Sequence, residues 1–232
     1  DMAVDGKGFT QKNINTQLNG NIESLVYNDY AYQNVEVSGV LRNEIYVGLL
    51  ESNDPNLKLK FNGLANVSQT VSTFDFVADV KYADLKALNF VKNDSLAHFN
   101  GVVDIKMTGT GLDDLQGSVS FKNTTYKNQI DTYVFDDFEI SSTFNNNVRT
   151  IDINSPDIIE GRLSGEFKVR DIPSLILNSL GSLYTNYKPL AVKEDQYIDF
   201  NFRIYNKIVE VFYPNIKLGS NTYIRGRVEN NE

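Results

Sequence analysis

The sequence predicts an all-β protein: an elongated, curved antiparallel meander sheet with an open groove and one or two short helices. Three observations predict this class. Apolar and polar residues alternate with period two in most segments, which is typical of strands with one buried face. Turn-forming residues join these segments without the long crossovers that parallel strands need. Helical apolar spacing occurs in only two segments.

The alternation is clearest in four predicted strands, at 57–67, 99–107, 161–169 and 198–204. In the first of them, Leu57, Leu59 and Phe61 share one face, while lysines and asparagines share the other. Weaker alternation predicts further strands at 14–22, 35–41, 45–50, 74–82, 117–121, 138–144, 150–154, 208–213 and 222–228. We expect each of these segments to bury one apolar face.

Turn chemistry connects the predicted strands. Residues 52–56 read Ser-Asn-Asp-Pro-Asn, a strong turn because Asp and Asn side chains bond their own backbone and Pro presets φ. Shorter hairpin loops are predicted at 27–30, 42–44 and 145–147. Short strands joined in this way favour an antiparallel meander.

Two segments are predicted to be helical. Residues 83–89 are expected to make two turns, and residues 172–184 a longer helix, with Asp171 as N-cap and Pro173 in its first turn. Both follow an alternating strand and begin with Asp followed by an apolar residue.

This shared pattern predicts an internal repeat. Aligning Asp84 with Asp171 also aligns Val80 with Phe167, and the strand parity is preserved. The repeat divides the chain into 1–90 and 91–184, each a β-groove unit that ends in a helix, and 185–232, the truncated start of a third unit.

The composition excludes several kinds of chemistry. The chain has no Cys and a single His, so it has no disulfide, no thiolate metal site and no multi-His metal site. Its 22 Lys+Arg against 30 Asp+Glu give a net charge of −8, which argues against nucleic acid or an anionic membrane face as the main partner. We assign the acidic pair Asp113-Asp114 to a turn and His98 to a solvated or edge position. The sequence therefore predicts no catalytic residue, no metal, no cofactor and no enzymatic activity.

Glycines interrupt the apolar faces of the predicted strands, at 20, 39, 63, 101, 117, 161 and 165. One interpretation is a set of bulges or tight bends. The other is a curved sheet with room on its concave side for acyl chains or an apolar strand. A closed core, as in a β-sandwich, remains the alternative to an open groove.

The candidate lipid-binding residues share the apolar register of the strands: Val37, Leu41, Leu57, Leu59, Phe61, Phe74, Phe76, Val80, Phe99, Val103, Ile105, Val119, Phe121, Phe138, Ile140, Phe144, Leu163, Phe167, Phe200, Phe202 and Ile204.

Loose sequence patterns recur along most of the chain, among them Leu18-Asn19-Gly20, Asp54-Pro55-Asn56-Leu57, Leu59-Lys60-Phe61-Asn62-Gly63, residues 83–90, and Gly109-Thr110-Gly111-Leu112-Asp113-Asp114. In these patterns the chain resembles the repeats of TamB-like translocation and assembly proteins of the AsmA/TamB group, in their Bacteroidetes-like versions. The resemblance implies a taco-shaped β-sheet with an apolar groove, here as an internal or near C-terminal fragment.

The resemblance also implies a function without catalytic residues. The full-length protein would be anchored at the inner membrane, span the periplasm and carry phospholipid acyl chains toward the outer membrane. An Omp85-type outer-membrane barrel would be its partner, through regions outside this fragment. Two alternatives stay open: a scaffold that assembles outer-membrane proteins by β-augmentation, and a closed β-sandwich that binds glycans. Exposed sheet edges also make self-association plausible.

Overall fold

The computed structural model describes residues 2–7, 15–66, 71–181, 186, 188–193, 195–205, 219 and 221–230. Thirteen strands and one α-helix lie in these residues. They are β1 (Met2–Lys7), β2 (Asn15–Tyr27), β3 (Tyr30–Arg42), β4 (Ile45–Asp54), β5 (Leu57–Asn66), β6 (Ser72–Asp84), β7 (Ala97–Gly109), β8 (Gln116–Asn128), β9 (Thr132–Asn145), β10 (Val148–Ser155), β11 (Ile159–Glu166), α1 (Ile172–Gly181), β12 (Tyr197–Ile204) and β13 (Thr222–Glu229). A 3-10 turn at Val169–Asp171 precedes α1.

Successive strands are neighbours, so the strand order is the order of the sequence. The ladders from β1 to β6 and from β9 to β13 are antiparallel. The predicted all-β antiparallel meander is therefore confirmed. Most predicted strands coincide with observed ones, although β1 was not predicted and the segment 208–213 lies outside the described residues.

Tight turns set the register of the hairpins. Asn28 and Asp29 both have positive φ, 52° and 58°, as do Asn43 and Glu44, 48° and 67°. Two central residues with positive φ define the type I′ turn, whose twist matches that of antiparallel strands. The predicted loops at 27–30 and 42–44 are confirmed.

The predicted helix at 83–89 is wrong in length. Strand β6 continues to Asp84, and a single helical turn follows, closed by the Leu88 N–H donating to the Asp84 carbonyl at 3.0 Å. The Asp84 carboxylate caps this turn by accepting the N–H groups of Lys86 and Ala87. Asn89, with φ of 63°, ends it, because a left-handed residue stops helix propagation. The longer helix starts at Ile172 as predicted, and its predicted end at 182–184 lies outside the described residues.

The chain forms two compact units. Unit 1 comprises Asp1–Thr108 and Val119–Asp137, and unit 2 comprises Gly109–Ser118 and Phe138–Glu232. Each has its own buried cluster. The cluster of unit 1 contains Val35, Val37, Val80 and Leu88, among others.

The cluster of unit 2 contains Phe167, Leu175, Ile198 and Val228. Leu88 and Leu175 are each only 1% exposed, and they coincide when Asp84 is aligned with Asp171. In each unit a leucine from a helical segment thus completes the core. The proposed repeat boundaries at 90 and 184 stay a prediction.

A pair of asparagines holds the helical turn of unit 1 in place. The Asn28 side chain donates to the Leu88 carbonyl at 3.1 Å, and the Asn89 side chain donates to the Asn28 carbonyl at 3.0 Å. The turn that carries Leu88 is therefore tied to the β2–β3 hairpin. Within the described residues, the structure has no helix long and apolar enough to cross a membrane.

We expect Leu88→Ala to lower the free energy of unfolding by about 2–5 kcal/mol, the usual range for truncating a buried leucine. The matched control is Leu49→Ala, because Leu49 is 55% exposed and surface substitutions stay within about 0.5 kcal/mol. Urea denaturation followed by circular dichroism measures both. Equal effects of the two substitutions would contradict the role of Leu88.

Candidate functional site

Twenty of the twenty-one predicted lipid-binding residues lie on sheltered faces of the strands, and Phe167 directly follows the end of β11. Five of the twenty-one are buried, namely Val37, Val80, Phe167, Phe202 and Ile204, and the others are half-buried. Thirteen belong to unit 1, from Val37 to Phe121, and eight belong to unit 2, from Phe138 to Ile204. Half-burial leaves apolar side chains partly accessible to solvent, which a completely filled core would not do.

Three glycines face one another across neighbouring strands in unit 1. Gly39 pairs with Gly48, and Gly48 pairs with Gly63. We call these three residues the glycine row. A Cβ added at Gly63 would lie 2.3 Å from the Asp75 carbonyl oxygen, and Gly63 has φ of +144°. Only glycine permits so close a backbone approach in this conformation.

An aromatic cluster lies along the glycine row. It consists of Tyr46, Phe61, Phe74 and Phe76, all half-buried. The ring centroids of Phe61 and Phe76 are 4.7 Å apart, those of Tyr46 and Phe61 6.1 Å, and those of Phe74 and Phe76 6.4 Å. These separations are within the range of favourable ring contacts. The cluster is therefore an apolar surface whose rings hold one another in place.

Tyr46 covers the row with its ring. A Cβ added at Gly39 or at Gly48 would lie 3.0 Å from an atom of this side chain. The Tyr46 hydroxyl donates to the Leu49 carbonyl at 2.6 Å. Burial raises the pKa of Tyr46 above its ordinary value, so the phenol is neutral at physiological pH. No charge develops within the aromatic cluster.

Cross-strand aromatic rings occupy the space above several glycines. A Cβ at Gly161 would lie 2.3 Å from Phe202 Cδ1, and one at Gly226 would lie 2.8 Å from Phe200 Cζ. The interpretation that these glycines leave room is therefore wrong at Gly161, because the partner strand's ring fills the space. Glycine here lets an aromatic side chain lie flat across the sheet, a pairing known to stabilise strands.

In unit 2 the apolar face consists of rows that cross several strands. Ile151, Leu163 and Phe200 are direct partners in one row, and they pack against the buried cluster of unit 2. Phe202 lies in the next row, beside Gly161. This face thus combines a filled region at Leu175 with half-buried apolar residues away from it.

Arg149 closes one part of the apolar face of unit 2. It is buried in the register of Ile151, and its guanidinium donates to Ser142 Oγ and to the carbonyls of Leu112 and Leu115 at 2.9–3.0 Å. Burial lowers its pKa. The guanidinium also lies 5.3 Å from the Phe144 ring centroid. Its hydrogen bonds hold the loop at 110–115 against the sheet.

Asp54 is a buried carboxylate with a structural role. It accepts hydrogen bonds from the Tyr30 hydroxyl at 2.6 Å and from the backbone N–H groups of Gln33 and Asn56 at 2.8 Å. Burial and the nearby carboxylate raise the pKa of Tyr30. Because the donors surround both oxygens, Asp54 fixes the predicted turn at 52–56.

The other ionisable residues singled out in the sequence also have local partners. Asp114 accepts from Thr110, which lowers its pKa, and Asp113 pairs with Arg170. His98 Nε2 lies 3.4 Å from the Tyr82 hydroxyl and 3.6 Å from Asp84 Oδ2. No group of three or more His, Cys, Asp or Glu residues able to hold a metal ion occurs in the described part of the chain.

Sequence reasoning missed Tyr46 as a member of the apolar face. The run from 45 to 50 is apolar at both parities, so alternation does not show which side chains point inward. In the structure Tyr46 and Leu50 are half-buried, whereas Val47 and Leu49 are exposed. The sequence could have placed Tyr46 on the inward face through its position two residues before Gly48, because residues two apart on a strand share one face.

Comparison with known proteins adds no relative: family models, curated proteins and solved structures all give no match.

We expect Gly63→Ala to destabilise the protein by about 1–3 kcal/mol, because the methyl group meets backbone atoms in a conformation unfavourable for alanine. Gly111→Ala is the control, since a Cβ there would have no neighbour within 4 Å. Thermal unfolding of both variants measures the difference. A Gly63→Ala variant as stable as Gly111→Ala would show that the glycine row is not closely packed.

Proposed function

We propose that this chain is a segment of a TamB-like envelope protein whose apolar sheet face shields or conducts phospholipid acyl chains between the inner and outer membranes. The observation that carries the proposal is the half-buried aromatic cluster along the glycine row. It offers apolar contact area on one face of unit 1, while Lys58 and Lys60 of β5 lie on the other face.

The chemistry of the aromatic cluster favours an aliphatic guest. Three of its four residues are phenylalanines, and Tyr46 already donates its hydroxyl proton to the Leu49 carbonyl. Each CH₂ group moved from water onto such a surface contributes about 0.8 kcal/mol. Because no charged group lies within the cluster, neighbouring positions of an acyl chain differ little in energy. The chain can then slide, with its headgroup in water.

The composition of the aromatic cluster also disfavours glycan binding. Sites for polar ligands orient them with several converging polar groups, and the Tyr46 hydroxyl is the only side-chain polar group of the cluster. A β-sandwich would also need a second sheet facing the first. Within each unit, the described strands form one succession of neighbours.

The cellular setting is part of the proposal and rests on the sequence resemblance. The segment would act in the periplasm as part of a protein anchored at the inner membrane. Its Omp85-type barrel partner would contact regions outside this fragment. No residue of the segment would act in catalysis, and acyl-chain binding would depend on apolar contact alone.

We expect Phe61→Asp to weaken binding of a fluorescent fatty acid by tenfold or more. Loss of the contact between the half-buried Phe61 and an acyl chain removes up to about 1.5–3 kcal/mol, and every 1.4 kcal/mol is about tenfold in affinity. The control is Leu49→Asp, which puts the same charge on the opposite, exposed face of the neighbouring strand β4. Probe titration of the full 232-residue chain measures both, and circular dichroism checks folding.

Native mass spectrometry of the protein purified from cells supplies a second readout. Phospholipid retained by the parent chain and by Leu49→Asp but lost from Phe61→Asp supports acyl-chain binding. If the parent retains no lipid and binds no fatty acid, the conduit is excluded. Protection of an unfolded outer-membrane protein from aggregation, unaffected by Phe61→Asp, would favour the β-augmentation scaffold.

A further inference from the structure

The apolar face of unit 2 is organised in rows of residues that are direct partners across neighbouring strands. The first row consists of Phe144, Arg149, Gly165, Ile198 and Val228. The second row, two residues away along each strand, consists of Ser142, Ile151, Leu163, Phe200 and Gly226. Both rows lie on the same face, because residues two apart on a strand share a face. An acyl chain that crosses the strands would follow these rows.

Two segments cover these rows in different places. Toward β12 and β13, Leu175 of α1 packs into the buried cluster of unit 2. Toward β9 and β10, the cover is the loop at 110–115, which we call the strap. The Arg149 guanidinium donates to two carbonyl oxygens of the strap at 2.9–3.0 Å, and Ser142 Oγ donates to one of them at 2.8 Å. The strap therefore lies over the apolar face of these two strands.

The strap has hydrogen bonds of its own that fix its shape. The Asp114 carboxylate accepts the Thr110 N–H at 2.9 Å, the Gly111 N–H at 2.7 Å and the Thr110 hydroxyl at 2.6 Å. A Cβ added at Gly111 would have no neighbour within 4 Å, so this part of the strap does not pack against the sheet. The strap can therefore change position without losing its internal hydrogen bonds.

One ion pair joins the strap to the 3-10 turn that leads into α1. Asp113 Oδ2 lies 2.5 Å from Arg170 Nε, and the Arg170 N–H donates to the same carboxylate at 3.5 Å. We call this ion pair the latch. The Arg170 side chain is 66% exposed, and exposed ion pairs contribute little to stability and are screened by salt. Arg149, by contrast, is buried. The latch is therefore the weaker of the two attachments of the strap.

We propose that the strap is a flap that controls the access of acyl chains to the apolar face of unit 2, held at Arg149 and released at the latch. With the latch closed, the strap and the segment of α1 are joined above the sheet. With the latch broken, the strap keeps its bonds to Arg149 but is free on the side of α1, which uncovers the half-buried Ile151 and Leu163. This inference rests on the proposed function, because it concerns the regulation of acyl-chain binding.

Thiol labelling of the full chain measures the opening of the flap without any lipid. The chain has no Cys, so Ile151→Cys supplies a single reactive thiol below the cover. We expect Asp113→Arg and Arg170→Asp each to speed its labelling by about two- to fivefold, the factor that an exposed ion pair supplies. Combining the two substitutions restores the latch with reversed charges and should return the rate to that of the parent. Thr150→Cys is the control thiol, because Thr150 is half-buried on the opposite face of the same strand.

Titration with a fluorescent fatty acid measures whether the flap controls binding. The Phe61→Asp background is used, because it weakens binding at the aromatic cluster of unit 1. In this background we expect Asp113→Arg and Arg170→Asp each to raise the affinity by about two- to fivefold, and the combined variant to return it to the background value. The two single substitutions change the net charge in opposite directions. A gain shared by both therefore does not come from attraction to the carboxylate of the fatty acid.

The matched control for the latch is Asp152→Arg, which reverses one charge of the exposed Asp152–Arg162 ion pair on the opposite face of unit 2. It should change neither labelling nor affinity. Circular dichroism checks folding, and Asp113→Asn and Arg170→Gln replace any variant that does not fold.

Two kinds of failure are distinguishable. The flap alone is excluded if the parent binds the fatty acid but the single substitutions leave labelling or affinity unchanged, or if the combined variant does not restore both. Absence of fatty-acid binding in every variant and in the parent excludes the proposed function, and the flap with it.

Discussion

The register of the strands is the constraint on which the other features depend. Side chains alternate between the two faces, so a slip of one residue would move every apolar residue to the other side. Type I′ turns at 28–29 and 43–44 fix β2 against β3 and β3 against β4. In that register Gly39, Gly48 and Gly63 become direct partners. Any other register would place side chains where the backbones now approach closely.

Within unit 1, the helical turn that carries Leu88 and the surface along the glycine row have different roles. Leu88 fills the space above Val35, Val37 and Val80, and the asparagine pair keeps its turn in place. Phe61 and Phe76 lie elsewhere on the same face and depend on one another for support. A closed region thus supplies stability, and a partly open region leaves apolar surface accessible to solvent. A sheet with an evenly filled face would have no such surface.

Period-two alternation predicted most strands and their inward face, and turn-forming residues predicted the hairpin loops, because both signals are local in sequence. The helix at 83–89 was predicted too long, since strand β6 itself extends to Asp84 and Asn89 ends the turn. Arg149 shares the register of Ile151, but alternation does not predict it on the apolar face, because a charged side chain is expected to point outward. Its carbonyl partners at 112 and 115 are distant in sequence. The rings above Gly161 and Gly226 depend on cross-strand partners, which no single segment specifies.

Charge and apolar surface are arranged differently in the two units, and this difference has a physical consequence. In unit 1 the aromatic cluster includes no charged group, so a guest there gains from apolar contact alone. In unit 2 the apolar face includes the buried guanidinium of Arg149, which donates to Ser142 Oγ and to two backbone carbonyls. In the proposed function, an acyl chain moves across the first surface because its energy there is nearly uniform. The face of unit 2 thus holds a fixed positive charge, already bonded to acceptors of the protein, that the face of unit 1 lacks. An apolar guest would therefore meet a uniform surface in unit 1 and a charged group in unit 2.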